Sequence, residues 1–343
     1  MRRDSSMGPD STCAVTAHRS GELLSYVATL RAAAFVFLAS TALSCSGALP
    51  SATAPDTYIA GQSYFGRNNY IEYIAGNAPV LLTAPHGGTL TPATIPDRTA
   101  ALCGGVATTV TDLNTIELVR AMRQQFFARF GKWPHVVITH LSRRKLDANR
   151  ATTEAACGNN EAQAALEEWR TYINVARSAM LSSSGQGWYM DMHGHGHAIQ
   201  RLELGYLLPV ADVNRTDAAL DAASSFENIS SIRTLSQFSP LPFSTLLRGA
   251  NSLGALYAAR GFPSIPSATD PSPNAEDYFN GGENTRLYTC SIASTNGNIC
   301  GVQIETNYTG VRDNATNRDR FGDATANVLE EYLRVHWGLR LSN

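Results

Sequence analysis

Three histidines and an aspartate fall within seven residues, Asp191-Met192-His193-Gly194-His195-Gly196-His197, directly after an apolar run. Neutral imidazole offers a nitrogen lone pair near pH 7, which makes histidine the commonest metal ligand. The interleaved glycines remove side-chain bulk, and Asp191 could orient an imidazole by accepting the proton of its other ring nitrogen. A further histidine, His86, follows a second apolar run in Ala84-Pro85-His86-Gly87-Gly88. Catalytic zinc takes three protein ligands from nitrogen and oxygen donors and keeps one position open. His86 and His193 would supply two of them. A carboxylate would supply the third, with Asp97, Asp112 and Glu117 as candidates. Asp112 heads a predicted helix, where aspartate is also a favoured N-cap, so the two roles compete for its side chain.

Two other features could complete a site. The stretch Arg143-Arg144-Lys145-Leu146-Asp147-Ala148-Asn149-Arg150 is the one concentrated cationic segment in the chain. It follows an apolar run and His140, and an arginine fork there could bind a substrate carboxylate bidentately. Glu305 ends the apolar stretch Val302-Gln303-Ile304. A carboxylate beside a metal site can serve as the general base of a hydrolase.

These residues need elements to hold them. Apolar runs bounded by Gly and Pro predict strands at 79–84, 135–139, 188–192, 202–208 and 302–305. Helical spacing, with Ile116, Val119, Met122 and Phe126-Phe127 on one face, predicts a helix over 112–130, stopped by Gly131 and Pro134. Further helices are expected at 159–182, 249–260 and 318–337. Strands alternating with helices of this length predict an α/β fold with a mixed, mainly parallel sheet covered on both faces. Ligands of such sheets sit beyond the carboxyl ends of the strands, which is where His86, Asn149-Arg150, His193 and Glu305 fall.

Composition narrows the functional classes. The 343 residues carry 27 Lys+Arg against 29 Asp+Glu, a net charge of −2, which leaves no basic footprint for nucleic acid. Residues 1–45 read as a leader, with Arg31 preceding the apolar run Ala32–Leu43, too short for a membrane span and suited to a signal peptide. Ala42-Leu43-Ser44-Cys45 resembles a lipoprotein cleavage box, so a lipidated Cys45 would attach the protein to a membrane. Residues 46–57 read as a linker and 58–343 as one catalytic domain. No Cys-x-x-Cys spacing is present, and in an oxidising compartment Cys290–Cys300 would close a short loop, leaving Cys103–Cys157 as the second disulfide.

At this point the chain resembles a known family. Pro85-His86-Gly87-Gly88, Thr111-Asp112, Leu146-Asp147-Ala148-Asn149-Arg150 and Asp191-Met192-His193 look like the ordered motifs of the N-formylglutamate amidohydrolases, a family similar in fold to zinc carboxypeptidases. The resemblance implies a single zinc held by His86, His193 and Asp112, with Asn149 and Arg150 gripping a substrate carboxylate; from the cationic segment, Arg143 or Arg144 could add to that grip. It also implies Glu305 as general base, while His195 or His197 would stabilise the oxyanion or support the site from behind. Zinc carboxypeptidases carry a glutamate three residues after the first histidine; here that position is Thr89. The expectation is therefore an exported zinc amidohydrolase acting on a small molecule or peptide with a free carboxylate. An exported metallo-carboxypeptidase or cell-wall peptide amidase, and a non-catalytic metal-binding surface lipoprotein, are the alternatives.

Overall fold

The computed structural model describes residues 57–105, 107–291 and 297–342, all within one structural unit that spans Leu49–Asn343. The expected leader, Cys45 and nearly all of the expected linker lie outside the described residues. Eight strands form one sheet: β1 (Ser63–Phe65), β2 (Ile71–Ile74), β3 (Val80–Ala84), β4 (His135–Thr139), β5 (Gly187–Gly194), β6 (Leu202–Gly205), β7 (Ser264–Ile265) and β8 (Ile299–Thr306). Their spatial order is β1-β2-β4-β3-β5-β8-β6-β7. The central strands β4, β3, β5 and β8 are mutually parallel, whereas β2 and β6 run antiparallel to them. The fold is therefore α/β with a mixed, mostly parallel sheet, as the sequence predicts.

The period of two in the strands assigns the faces. Trp188, Met190 and Met192 of β5 and Val302 and Ile304 of β8 join one core. Helices Thr115–Phe130 and Ala315–Trp337 cover it with Leu118, Met122, Phe126, Phe321, Leu329 and Tyr332. Gly322 lets these two helices meet, because a Cβ there would stand 2.9 Å from the Met122 Cα. On the opposite face Leu81, Val137 and Tyr189 pack against Trp169, Ile173 and Met180 of helix Asn160–Ser184. Asp191 and His193 share the parity of Tyr189, so they prolong that second face past the edge of its helical cover.

Several boundaries moved. The helix expected from 112 starts at Thr115, with Asn114 rather than Asp112 at its N-cap. The strand expected over 202–208 stops at Gly205, where a Cβ would lie 2.5 Å from the Gly281 nitrogen, and Leu207 turns away at φ 68°. The edge strands β1 and β7, and the inner strand β2 between β1 and β4, carry no clear apolar run, being short and including polar residues such as Glu72.

Both expected disulfides are present. Cys103–Cys157 closes a separation of 54 residues, for which loop entropy gives about 4 kcal/mol. It fastens the segment that follows β3 to the one that follows β4. Among the described residues no helix is long and apolar enough to cross a membrane.

Buried His135, at the start of β4, makes stability depend on pH. Its Nδ1 accepts hydrogen bonds from the Tyr73 hydroxyl at 2.8 Å and the Gly76 N–H at 3.1 Å. Desolvation lowers its pKa to about 4. The unfolded chain binds a proton below about 6.5 and the folded chain does not until about 4. Stability should therefore be full above pH 6.5 and fall by about 3 kcal/mol as pH drops to 4. Denaturant unfolding across that window should show this slope reduced in His135→Asn, whose side-chain oxygen can accept the same two bonds without titrating.

Candidate metal centre

The carboxyl ends of β3, β5 and β8 lie side by side, and a cleft of about 410 Å³ opens there. His86 leaves β3, His193 sits near the end of β5, and Glu305 pairs with His193 in register across β5 and β8. Asp112 comes from the long connection between β3 and β4, anchored by its N–H donating to the His86 carbonyl at 3.1 Å. Its side chain does not cap the following helix.

Each imidazole is fixed from behind by a buried aspartate. His86 donates through Nε2–H to Asp147 Oδ1 at 2.7 Å, and His193 through Nε2–H to Asp191 Oδ2 at 2.9 Å. Asp147 is held in turn by Arg143 Nε at 3.0 Å and the Asn149 N–H at 3.0 Å. Asp191 accepts the Thr83 hydroxyl at 2.6 Å. Both aspartates are fully buried. With Nε2 committed, each ring has only its Nδ1 lone pair left to present. Both Nδ1 atoms lie 3.3 Å from the same oxygen, Asp112 Oδ2.

Three acceptors facing one another repel unless positive charge sits among them. Only an extra proton or a metal cation resolves the arrangement. Ligand–ligand separations of about 3.3 Å are those of tetrahedral bonds near 2.0–2.1 Å. His86, Asp112 and His193 are thus a donor set that could hold a divalent metal, and all three are buried. The electrostatics agree. Burial opposes ionisation of Asp112, but His86 and His193 hold its carboxyl far below the usual range. Burial works against charge on His193 as well, yet Asp191, Asp112 and Glu305 hold its imidazole well above its ordinary value.

Glu305 Oε1 lies 3.9 Å from His193 Nδ1 and accepts Gln303 Nε2 at 3.1 Å. Burial, with Asp112 and Glu203 nearby, outweighs His193 and pushes its carboxyl up to about 8. Arg150 lines the cleft with a partly exposed guanidinium whose Nη1 donates to the Asn149 carbonyl at 2.8 Å. Asn149 is buried; its Oδ1 accepts the Asn284 N–H at 2.8 Å, and its Nδ2 lies 3.3 Å from His193 Nε2. Arg143 lines the cleft but is spent on the acids, at 3.0 Å from Asp147 and 3.6 Å from Asp112.

Three expectations need correction. Arg144 is not brought to the cleft; it is mostly exposed and pairs with Asp97. That pairing, with Lys145 Nζ at 2.9 Å from the same carboxylate, also removes Asp97 as a ligand, and Glu117 is exposed on its helix. His195 borders the cleft, but Nε2–H donates to the Arg201 carbonyl at 2.8 Å and Nδ1 accepts the His197 N–H at 3.1 Å, so neither ring nitrogen is free for catalysis.

Sequence reasoning gave no role to Asp147, Arg98 or Arg312. Asp147 lay in plain view inside the 143–150 segment, masked by its cationic neighbours. Arg98 is buried and knits three segments around the site, donating to Thr108 O at 2.7 Å, Arg143 O at 2.9 Å and Glu154 O at 3.1 Å. Arg312 passes beneath Gly194, where a Cβ would stand 2.2 Å from its Cζ, and donates to Thr306 O at 3.2 Å and to His195 O at 3.3 Å. No local sequence signal distinguishes either arginine from a surface residue.

No family model matches the chain, and no curated protein does. A solved structure similar to it is that of the N-formylglutamate amidohydrolase from Ralstonia eutropha JMP134, at 12% identity and a TM-score of 0.41. The match covers 77% of this chain and 96% of that one. At that level the likeness carries no functional weight, and the side-chain geometry must stand alone.

The aspartates that hold the two imidazoles from behind give a measurable consequence. Asp191→Asn keeps shape and the Thr83 contact but turns a strong acceptor into a weaker one. Competition with a chromophoric chelator should show Zn²⁺ affinity lowered by roughly 10–100-fold, with stoichiometry unchanged at saturation.

Proposed function

We propose that the chain is an exported zinc-dependent hydrolase of amide C–N bonds that lie next to a free carboxylate, akin to the N-formylglutamate amidohydrolases. One observation carries this reading: two Nε2-anchored imidazoles direct their Nδ1 atoms to Asp112 Oδ2 at 3.3 Å, with Glu305 alongside. The motifs that carry the family resemblance in the sequence, around His86, Asp112, Asn149-Arg150 and His193, all border this one cleft. The two disulfides support an oxidising compartment.

His86, Asp112 and His193 would hold the zinc, which when bound would act as a Lewis acid toward the amide carbonyl and the attacking water. The rest is done by the chain. Arg150 receives the substrate carboxylate as a planar fork and so sets the scissile bond over the centre. Asn149 keeps the Asn284 segment against the cleft. With positive charge held by the His86, Asp112 and His193 donors beside it, the Glu305 carboxyl would be drawn down to its ionised form and would take a proton from the water as it attacks. Gln303, hydrogen-bonded to Glu305, keeps that carboxylate turned toward the centre.

The test is purification with metal analysis, followed by turnover assays on N-formyl and N-acyl amino acids and on peptides with a free C-terminus. Chelator-sensitive release of the amine from N-acyl amino acids is the expected result. Cleavage of peptides alone would make the chain a carboxypeptidase, and metal binding without turnover on any amide would sink the enzymatic reading.

Within this reading two variants separate chemistry from binding. Glu305→Gln should lower kcat by about 10²–10⁴-fold with the zinc content unchanged. Arg150→Gln should raise KM by about tenfold for substrates with a free carboxylate, the loss of one charge-assisted pair. The same variant should leave KM for the corresponding methyl esters unchanged.

A further inference from the structure

A second cluster, His195, His197 and Glu203, has its two histidines on the same cleft, and its ligand atoms also fall within 4.8 Å of one another. Its protons are arranged differently. His197 Nδ1–H donates to Glu203 Oε1 at 2.7 Å, and the His197 N–H donates to His195 Nδ1 at 3.1 Å. His195 Nδ1 is thus satisfied by a backbone N–H and stands 3.9 Å from Glu203 Oε1, while Glu203 Oε1 takes its hydrogen from the His197 ring. The cluster is built to hold one ring. Glu203 is buried, with its second oxygen taken by the Phe279 N–H at 2.8 Å. The Phe279 ring stacks on His197 at 4.7 Å between centroids and 17° between planes. His197 remains 20% exposed at the cleft, and its one uncommitted ring atom is Nε2. Glu203 stands directly opposite Glu305 across the β6–β8 pairing, which sets the anchored histidine one strand away from the candidate base.

We propose that His197, fixed by Glu203, is the proton donor to the departing nitrogen. The inference rests on the amide-hydrolase reading above. A buried carboxylate on Nδ1 holds the imidazole in one tautomer and stabilises the positive charge of its protonated form. In the step, the water O–H bond breaks toward Glu305 while the oxygen bonds to the carbonyl carbon. The C–N bond then breaks, and its electron pair takes the proton from Nε2 of the His197 imidazolium. The proton on Glu305 returns to His197 through solvent, so the sum is water added across the amide. Glu203 touches no reacting atom and is a positioning residue.

A leaving-group series tests the assignment. N-formylglutamate and N-formylnorleucine release strongly basic amines that must be protonated to leave, whereas N-formyl-4-aminobenzoate releases a weakly basic one. His197→Gln should lower kcat on the aliphatic substrates by about 100-fold or more and on the aminobenzoate by less than about tenfold. Glu203→Gln should shift the ratio in the same direction by a smaller factor. Zinc content should stay at the wild-type value in both. Equal losses on both substrate types, or no loss, would overturn the donor role while leaving the hydrolase reading intact. Loss of zinc in His197→Gln would overturn it in favour of a metal-ligand role. If that variant fails to fold, Glu203→Gln carries the test: a larger loss on the aliphatic substrates than on the aminobenzoate supports the donor, and equal losses refute it. A wild-type protein that cleaves none of the three would overturn both readings.

Discussion

An imidazole that gives its Nε2 proton to a buried aspartate has only Nδ1 left to offer, and this chain does that twice within one cleft. The Asp147–His86 and Asp191–His193 pairs set tautomer and ring orientation together. Everything else about the centre follows from that double constraint. Because both free nitrogens meet the same oxygen of Asp112, the arrangement holds acceptors in excess, and positive charge is the only thing that relaxes it. Burying Asp112, Asp147, Asp191 and Glu305 so close together is tolerable only because each has donors of its own. Arg143, the Thr83 hydroxyl, the Gln303 amide and the Gly194 N–H provide them.

The scaffold makes the constraint affordable by placing these groups at strand ends. Parallel neighbours bring their carboxyl termini to one edge, so His86 and His193 arrive there without long-range adjustment. The two connections that follow β3 and β4 are longer and would be free to drift. The Cys103–Cys157 disulfide and the buried Arg98 cross between them, and Arg98 donates to carbonyls on both. Asp112 and Asp147 sit on those connections. The fastening therefore acts on the two carboxylates that the histidines need, and little of it is spent on the sheet itself.

How much of this can be read from the chain depends on the range of the interaction. The central strands carry unbroken apolar runs, and β4 starts and stops where its residues say it should, at His135 and Thr139. Asp191 is legible as the partner of His193 because the two lie on one face of one strand, two residues apart. Asp147 is separated from His86 by 61 residues, and nothing local distinguishes it from the cations around it. The same holds for neighbouring arginines. Arg143 turns inward to Asp147, four residues on, whereas its neighbour Arg144 points outward to Asp97. Helix Thr115–Phe130 was visible by its period, but whether Asp112 capped it or faced the histidines depended on the tertiary position of His86.

His195 and His197 show the limit most clearly, since sequence alone treats the two as equals. Both follow a glycine and both stand near Glu203. What separates them is which ring nitrogen the fold consumes. The Arg201 carbonyl and the His197 N–H take both nitrogens of His195, which makes it a strut. Glu203 takes only Nδ1 of His197, and the ring keeps a free Nε2 at the cleft. His193, anchored through Nε2 instead, presents Nδ1 to Asp112. Within five residues of one strand end, three imidazoles are thus committed through different atoms. Their capacity for metal, structure or proton transfer follows from the partner each finds in space, because the chemistry of histidine is decided one nitrogen at a time.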